Sequence, residues 1–413
     1  MEECLDCVVN QTLQELEIIC VNDGSTDGSV KILRDFSKRD DRIILIDKKN
    51  AGYGHSVNLG IRIARGEYIG IVEPDDFLRL EMLEELYGIA SEMQLDVVKA
   101  DFDIVRGPDG KRTYSRQRIC KNYDLYHQVI NAEIEPDIFQ ASLFTWAGIY
   151  RRKFLIENGI WHHESPGASF QDNGFWFQVF VKARSIYFTD KRYYCLRRDN
   201  PDSSIKSTEK VYCICEEYDF IRRWLLREKE ERYLSMQWYW RWKGYLGNLR
   251  RIGSRYKDAF LIRFQEDFTK GLCAGEFCPE IFGEEQMLLK YILDGDFAQV
   301  YRELFLDQEL LGRLRGLNKI ILYGDEEKVR EICKRLDQYH DPAIHLAGVA
   351  LTNKRSKGVV WNQQIRRLES LEADAAAWVA VQDDADQVKQ QLQKLGFTQF
   401  LALPDYIKGI GNV

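Results

Sequence analysis

Positive charge is not in surplus in this chain: 58 lysines and arginines face 65 aspartates and glutamates, a formal net charge of -7. A general nucleic-acid binder needs a basic face to neutralise phosphates, so that class is set aside. No uninterrupted apolar run approaches the roughly 20 residues of a membrane-spanning helix, and the first residues lack the apolar core of a signal peptide. Peripheral contact with a membrane stays open. A spaced cysteine framework is missing too. The ten cysteines sit mostly inside apolar runs, as Cys20, Cys195 and Cys273 do. A zinc site would need a second C-x-x-C beside that of Cys4 and Cys7. Free thiols in a reducing cytoplasm are the simplest reading. No short repeat or low-complexity tract interrupts the chain.

What is present is a globular composition: 413 residues, 45% hydrophobic and 30% charged, enough for two or three domains. Up to about residue 105, short apolar runs alternate with amphipathic stretches. "LEIICVN", "RIILID", "YIGIVE" and "DVVKADFDIV" read as strands, and "VKILRDFSKRD" and "LEMLEELYGIASEMQ" as helices. That alternation predicts an α/β layer with a mainly parallel sheet, whose ligands sit at the carboxyl ends of the strands. From about 207 to 316 the pattern is helical, and its interleaved aromatics and arginines fit a packed bundle better than nucleic-acid stacking. From about 317, "KIILYGDEEKVREICKRL", "AIHLAGVALT", "AAAWVAVQ" and "FTQFLAL" predict a small doubly wound α/β domain. Its first turn keeps Gly324 but follows it with Asp325 and Glu326. Carboxylates there would repel a pyrophosphate, which counts against a dinucleotide-dependent oxidoreductase.

Four stretches carry candidate chemistry. In "VNDGSTDGS", Asp23 follows a strand and can accept hydrogen bonds from a base or a ribose, while Asp27 suits the start of the next helix. In "NAGYGHSVNLG", Gly52 and Gly54 allow close backbone approach, and Asn58 can hold a loop through its amide. "IVEPDDFL" clusters Glu73, Asp75 and Asp76, hard oxygen ligands suited to Mg²⁺ or Mn²⁺, or else an acidic turn ahead of a helix. In "ASFQDNGFWFQVF", Asp172 lies in a polar break before an aromatic helix, as a general base or as a cap. Further on, "YYCLRRDNPDSS" offers Arg197, Arg198, Ser203 and Ser204 as phosphate donors, or as a solvated loop.

The order of these segments resembles the family 2 glycosyltransferases of the GT-A fold. "EIICVNDGSTDGS", "NAGYGHSVNLGI", "GEYIGIVEPDDF" and "YYCLRRDNPDSS" look like family segments in family order, over about residues 1–205. The resemblance implies an inverting, metal-dependent enzyme that uses a nucleotide-diphosphate sugar. Its acceptor would be a saccharide or a lipid-linked molecule in bacterial surface polysaccharide synthesis. It implies donor binding by Asp23, Gly52, Gly54, Asn58, Asp75, Arg198 and Ser203, and a metal motif of Glu73, Asp75 and Asp76. Asp172 matches the catalytic base, and Trp146 in "FTWAGIY" falls where the acceptor is expected. Glu73 departs from the usual aspartate, and Gln171 precedes Asp172 where many members have glutamate.

Members also open with an apolar strand and a proline–tyrosine–asparagine turn, whereas Met1 here begins inside the first expected helix. The expectation is therefore an N-terminally truncated GT-A domain over 1–206, a helical segment over 207–316 and a Rossmann-like domain over 317–413. The alternative function is a non-catalytic nucleotide-sugar-binding or scaffold relative. The expected location is cytoplasmic, at the inner face of a membrane if the acceptor is lipid-linked, with a homo-oligomer left open.

Overall fold

A computed structural model describes residues 1–301 except 109, 143 and 199–209, then 303–305 and short stretches beyond. The chain divides into two compact units, Met1–Phe282 and Gly283–Val413.

In the first unit, helix α1 (Glu2–Val9) precedes strand β1 (Ile18–Asn22), helix α2 (Ser29–Ser37) and strand β2 (Ile43–Asp47). β1 and β2 pair in parallel with Asn22 opposite Asp47, and form a two-stranded sheet of their own. Helix α3 (Tyr53–Ile63) packs on β1. There follow β3 (Tyr68–Gly70), β4 (Phe77–Leu78), helix α4 (Met82–Glu92), the long β5 (Val97–Arg106), β6 (Thr113–Gln117), β7 (Val129–Ile130) and β8 (Gly148–Arg151). Helix α5 (Arg152–Glu157), helix α6 (Gln171–Lys182) and β9 (Ile186–Arg197) complete this layer.

The second sheet runs β3-β8-β5-β9-β4, with β6 on β5 and β7 on β9. β5 and β9 are parallel, but β3–β8, β5–β8 and β4–β9 are antiparallel. The layer is thus mixed, in keeping with the GT-A resemblance, and among the named strands of this unit only β1–β2 and β5–β9 pair in parallel.

β5 lies between β8 and β9 and is buried on both faces. Val98, Ala100 and Phe102 join the core on one side with Leu86, Ile149 and Tyr194. The alternate residues Lys99, Asp101 and Asp103 are also buried and so require partners. Asp101 accepts from the Tyr126 hydroxyl (2.6 Å), the Ile119 N–H (2.9 Å) and Arg116 (3.1 Å), and Asp103 accepts from Arg192 (2.8 Å).

Helices α7 (Cys213–Arg227), α8 (Leu234–Arg251) and α9 (Ser254–Cys273) belong to this same unit. Their aromatic residues face inward, with Trp224, Trp238, Trp242 and Tyr245 buried, so the arginine–aromatic interleaving is helix packing. α7 packs on both α6 and α8, which ties the bundle to the helix that carries Asp172.

In the second unit, helix α10 (Gln286–Asp294) precedes strands β10 (Ile320–Gly324), β11 (Leu346–Leu351), β12 (Val359–Val360), β13 (Gln363–Arg366), β14 (Ala377–Val381) and β15 (Phe400–Ala402). Their order is β12-β13-β11-β10-β14-β15, parallel apart from β12. The strands β10, β11, β14 and β15 fall in the four apolar runs read from the sequence. Asp325 and Glu326, after Gly324, lie outside the described residues.

Candidate active site

The site is built where strands β1 and β3 end and α6 begins. After β1, Asp23 accepts from the main-chain N–H groups of Ala51 (2.8 Å) and Gly52 (2.9 Å) and pairs with Lys48. Burial works to raise its pKa, but Lys48 and these two donors hold it below the ordinary carboxylate range. Asp23 thereby latches the "NAGYG" loop to the end of β1. Asp27, as expected, accepts the Ser29 N–H (2.9 Å) at the start of α2.

The glycine loop meets the protein itself. A Cβ on Gly52 would lie 2.7 Å from the carbonyl of Ser165, and one on Gly54 would lie 2.1 Å from that of His163. The Tyr53 N–H donates to Gly167 O (2.9 Å). Asn58, buried, donates to His162 O and to Glu164 (both 2.9 Å) and accepts the His162 N–H (2.9 Å). These contacts turn Gly52, Gly54 and Asn58 towards the segment 162–167. Their close approach and amide bonds fix the segment 162–167 across the loop, and nothing in the sequence spacing pointed to that segment.

The acidic motif forms the opposite corner. Tyr53 donates to Glu73 (2.6 Å), and Tyr194, on β9, donates to Asp76 (2.8 Å) while accepting the Glu73 N–H (3.1 Å). The other Asp76 oxygen accepts the Arg197 N–H (2.7 Å). Burial, with the neighbouring carboxylates adding to it, pushes Glu73 up to about 7 and Asp76 up to about 6. Asp75 is exposed at the tip.

Asp76 is held in the corner by these two hydrogen bonds, one on each oxygen, and each oxygen keeps a second lone pair. Glu73 and Asp75 are the motif's remaining carboxylates. Among the described residues, no group of three or more His, Cys, Asp or Glu side chains is disposed to hold an ion. These residues fit a cation that shares one or two protein carboxylates with a ligand's phosphates, the usual habit of Mg²⁺, and do not fit an all-protein cage.

Trp146 is 6% exposed, with Phe144 stacked on one side (4.3 Å between centroids) and Tyr194 on the other (4.6 Å). With both faces covered, the indole packs between these two rings and presents no open face in this arrangement. It buttresses Tyr194, and through Tyr194 the Glu73–Asp76 corner.

Asp172 is the second residue of α6, after Phe170, which adopts the left-handed conformation (φ 65°). One carboxylate oxygen accepts the Asn173 N–H (3.1 Å). Burial, then the like charges of Glu217 and Glu73, push its pKa up to about 7, the range a general base uses at neutral pH. Gln171, in place of the family's glutamate, donates to Ser165 (2.9 Å) and Gly167 O (3.2 Å). Glu217 of α7 accepts the Gly174 N–H (2.8 Å) and pairs with His163 (2.9 Å). No motif announced Glu217, because its partners come from another helix and a loop. Arg198 is half-buried and close enough to Asp76 to oppose its rise. Ser203 and Ser204 lie outside the described residues.

A family model described as Glycosyl transferase family 2 matches residues 1–159. Glycosyltransferase GlyG of Streptococcus pneumoniae is 31% identical over 210 residues, which cover 50% of this chain and 68% of that protein. The chain belongs to glycosyl transferase family 2. Uncharacterized glycosyltransferase EpsJ of Bacillus subtilis is 33% identical over 208 residues, 49% of this chain and 58% of that family protein. Poly(ribitol-phosphate) beta-glucosyltransferase of Bacillus spizizenii is 31% identical over 212 residues, 50% of this chain and 31% of its own length. The chain therefore spans little more than half of EpsJ and a third of the last. A crystal structure of S. aureus TarS 1-349 in complex with UDP-GlcNAc is 18% identical, with a TM-score of 0.46 over 73% of this chain and 85% of that one. The family-model match takes in the segments around Asp23 and Glu73 and ends before Asp172. Among the described residues no helix is long and apolar enough to cross a membrane.

Proposed function

We propose that this family 2 protein transfers a sugar from a nucleotide-diphosphate donor to a saccharide or lipid-linked hydroxyl, with inversion, in bacterial surface polysaccharide synthesis. One observation carries the reading. Asp172 stands at the start of α6 with its pKa raised to about 7, within electrostatic reach of Glu73 in the acidic corner. A base and a diphosphate-facing corner on one site are what an in-line displacement needs.

Asp172 takes the proton of the acceptor hydroxyl as that oxygen attacks the anomeric carbon. The bond from that carbon to the diphosphate oxygen breaks on the opposite face, and the diphosphate leaves with the electron pair. Arg198 and Ser203 serve the phosphates, and Asp23, through the loop it latches, serves the nucleoside. Mg²⁺ or Mn²⁺, held through Glu73 and Asp75, would neutralise charge on the departing diphosphate. The names of EpsJ, GlyG and the ribitol-phosphate enzyme support a sugar transferase. A lipid-linked acceptor would put the reaction at the cytoplasmic face of a membrane.

Calorimetric titration with UDP-glucose and UDP-N-acetylglucosamine plus Mn²⁺, followed by donor turnover, tests the reading. Binding with slow hydrolysis supports it. Binding without turnover points to a nucleotide-sugar-binding relative. No binding of either donor overturns it.

A further inference from the structure

Lys99, midway along β5, is 1% exposed, and among the described residues no carboxylate pairs with it at contact distance. A buried ammonium without an ion partner is costly unless its donors are met. Here all three are met, two by one turn and one by the strand after it: Lys99 donates to Phe144 O, Trp146 O (2.7 Å) and the Tyr150 hydroxyl on β8 (3.1 Å). Tyr150 in turn donates to Thr145 O (2.7 Å).

That turn is strained. Ala147, fully buried, has φ 56°, a conformation a non-glycine residue keeps only when its surroundings impose it. Gly148 leaves room for the lysine stem, since a Cβ there would lie 2.7 Å from Lys99 Cδ. The same turn carries Phe144 and Trp146, whose stack on Tyr194 sets the Glu73–Asp76 corner.

On its other side Lys99 is within electrostatic reach of Asp172. The further groups acting on Asp172 are Glu217, paired with His163, and Glu73, bonded to Tyr53, with the neutral Tyr218 near it. Burial lowers the Lys99 pKa to about 7 while the Asp172 carboxylate opposes that fall, so below about pH 7 Lys99 adds positive charge to a site crowded with carboxylates.

We propose that Lys99 is a positioning residue for sugar transfer. It clamps the Phe144–Gly148 turn so that the Trp146–Tyr194 stack and the acidic corner stay in register with Asp172, and its charge favours the Asp172 carboxylate. The assignment rests on the transferase reading above.

The test uses the full chain with Mn²⁺ and UDP-glucose or UDP-N-acetylglucosamine, whichever wild type turns over. Lys99→Met is expected to lower kcat about 10- to 100-fold with the donor KM within about threefold, the signature of lost positioning. It also moves the acid limb of the kcat profile to higher pH. Lys99→Arg, which keeps the charge, regains part of the kcat loss and the wild-type acid limb, and is the variant to read if Lys99→Met does not fold. Wild-type turnover with kcat and pH profile unchanged in Lys99→Met overturns the role of Lys99 and leaves the transferase reading standing. Failure of both variants to fold overturns it as well, by making Lys99 purely structural. Wild type that binds neither donor overturns the transferase reading itself.

Discussion

Two of the places where the first unit buries charge do so on opposite terms. In the helical bundle, Asp267 accepts from Arg241 (2.7 Å), Arg263 (2.8 Å) and Tyr245 (2.7 Å), and Asp219 meets the same two arginines at 2.8 Å each. Burial works to raise Asp267, yet the arginines hold it below the ordinary range. Around the cleft, Glu73, Asp76, Asp172 and Glu217 are held mainly by hydroxyls and main-chain N–H groups, and burial raises all four. The bundle balances its charges internally, as a structural network must. Around the site the carboxylates have few cations beside them, and burial raises their pKa values instead. Unbalanced burial, more than burial alone, separates the site from the scaffold.

The largest expected effect breaks the cleft side. Asp172→Asn keeps the shape of the side chain but cannot take a proton. It should lower kcat for transfer or donor hydrolysis by about 10²- to 10⁴-fold. Calorimetry should find UDP affinity within about twofold of wild type; lost UDP binding would instead make Asp172 a donor contact.

Next comes the bundle. Arg241→Met strips a cation from buried Asp267 and Asp219, and leaving such charge uncompensated costs about 3–5 kcal/mol. Denaturant unfolding should register that loss. UDP binding measured below the transition should be unchanged, because the network belongs to the scaffold. A variant as stable as wild type would mean that Arg263 alone balances both carboxylates.

A third change sharpens the cleft side with less force. Tyr194→Phe removes the hydroxyl that spans Asp76 and the Glu73 N–H but keeps the ring against Trp146. Donor affinity in Mn²⁺ should fall about 10- to 100-fold, the worth of one hydrogen bond to a charged group. Affinity for UDP without the cation should move less. Equal losses in both conditions would place the effect on the nucleotide instead of the acidic corner.

The cleft was partly legible in the sequence, for identifiable reasons. Asp23 and the acidic motif each follow an apolar strand run, and Asp172 opens an aromatic helix. Such junctions are visible as changes of period along the chain. The packing of Trp146 was not legible, because Tyr194, which covers its second face, lies on β9 and only the pairing of β9 with β5 brings it near. For Gly52, Gly54 and Asn58 close approach was legible, but its partner in 162–167 was not. The charged residues of "VVKADFD" alternate, which in a half-exposed strand would put them in water. Their burial followed only from the position of β5 between β8 and β9, and that placement is a tertiary fact. The bundle was easier, because its aromatic spacing is local.

The smallest effect is on stability, and it compares the two regions in one titration. A carboxyl whose folded pKa lies above its unfolded value of about 4 keeps its proton longer when folded. Between about pH 4 and 7 the native state then binds more protons than the unfolded chain, so stability falls as pH rises across that window. Asp172 at about 7, Glu73 at about 7 and Asp76 at about 6 all act in this direction. Asp267 and Asp23, lowered, stay ionised in both states across most of the window and contribute their slope below about pH 4. Glu73 and Asp172 are half-buried, so solvent screening trims the effect. The expected fall in Tm from pH 5 to pH 7 is a few degrees, at about 2–4 °C per kcal/mol for a unit of this size. Saturating Mn²⁺ with UDP should flatten the slope, since a cation seated beside Glu73 and Asp75 would favour the ionised carboxylates, while Arg241→Met should leave it unchanged. A slope that survives the ligand and disappears with Arg241 would move the raised carboxylates from the cleft to the bundle and reverse the comparison.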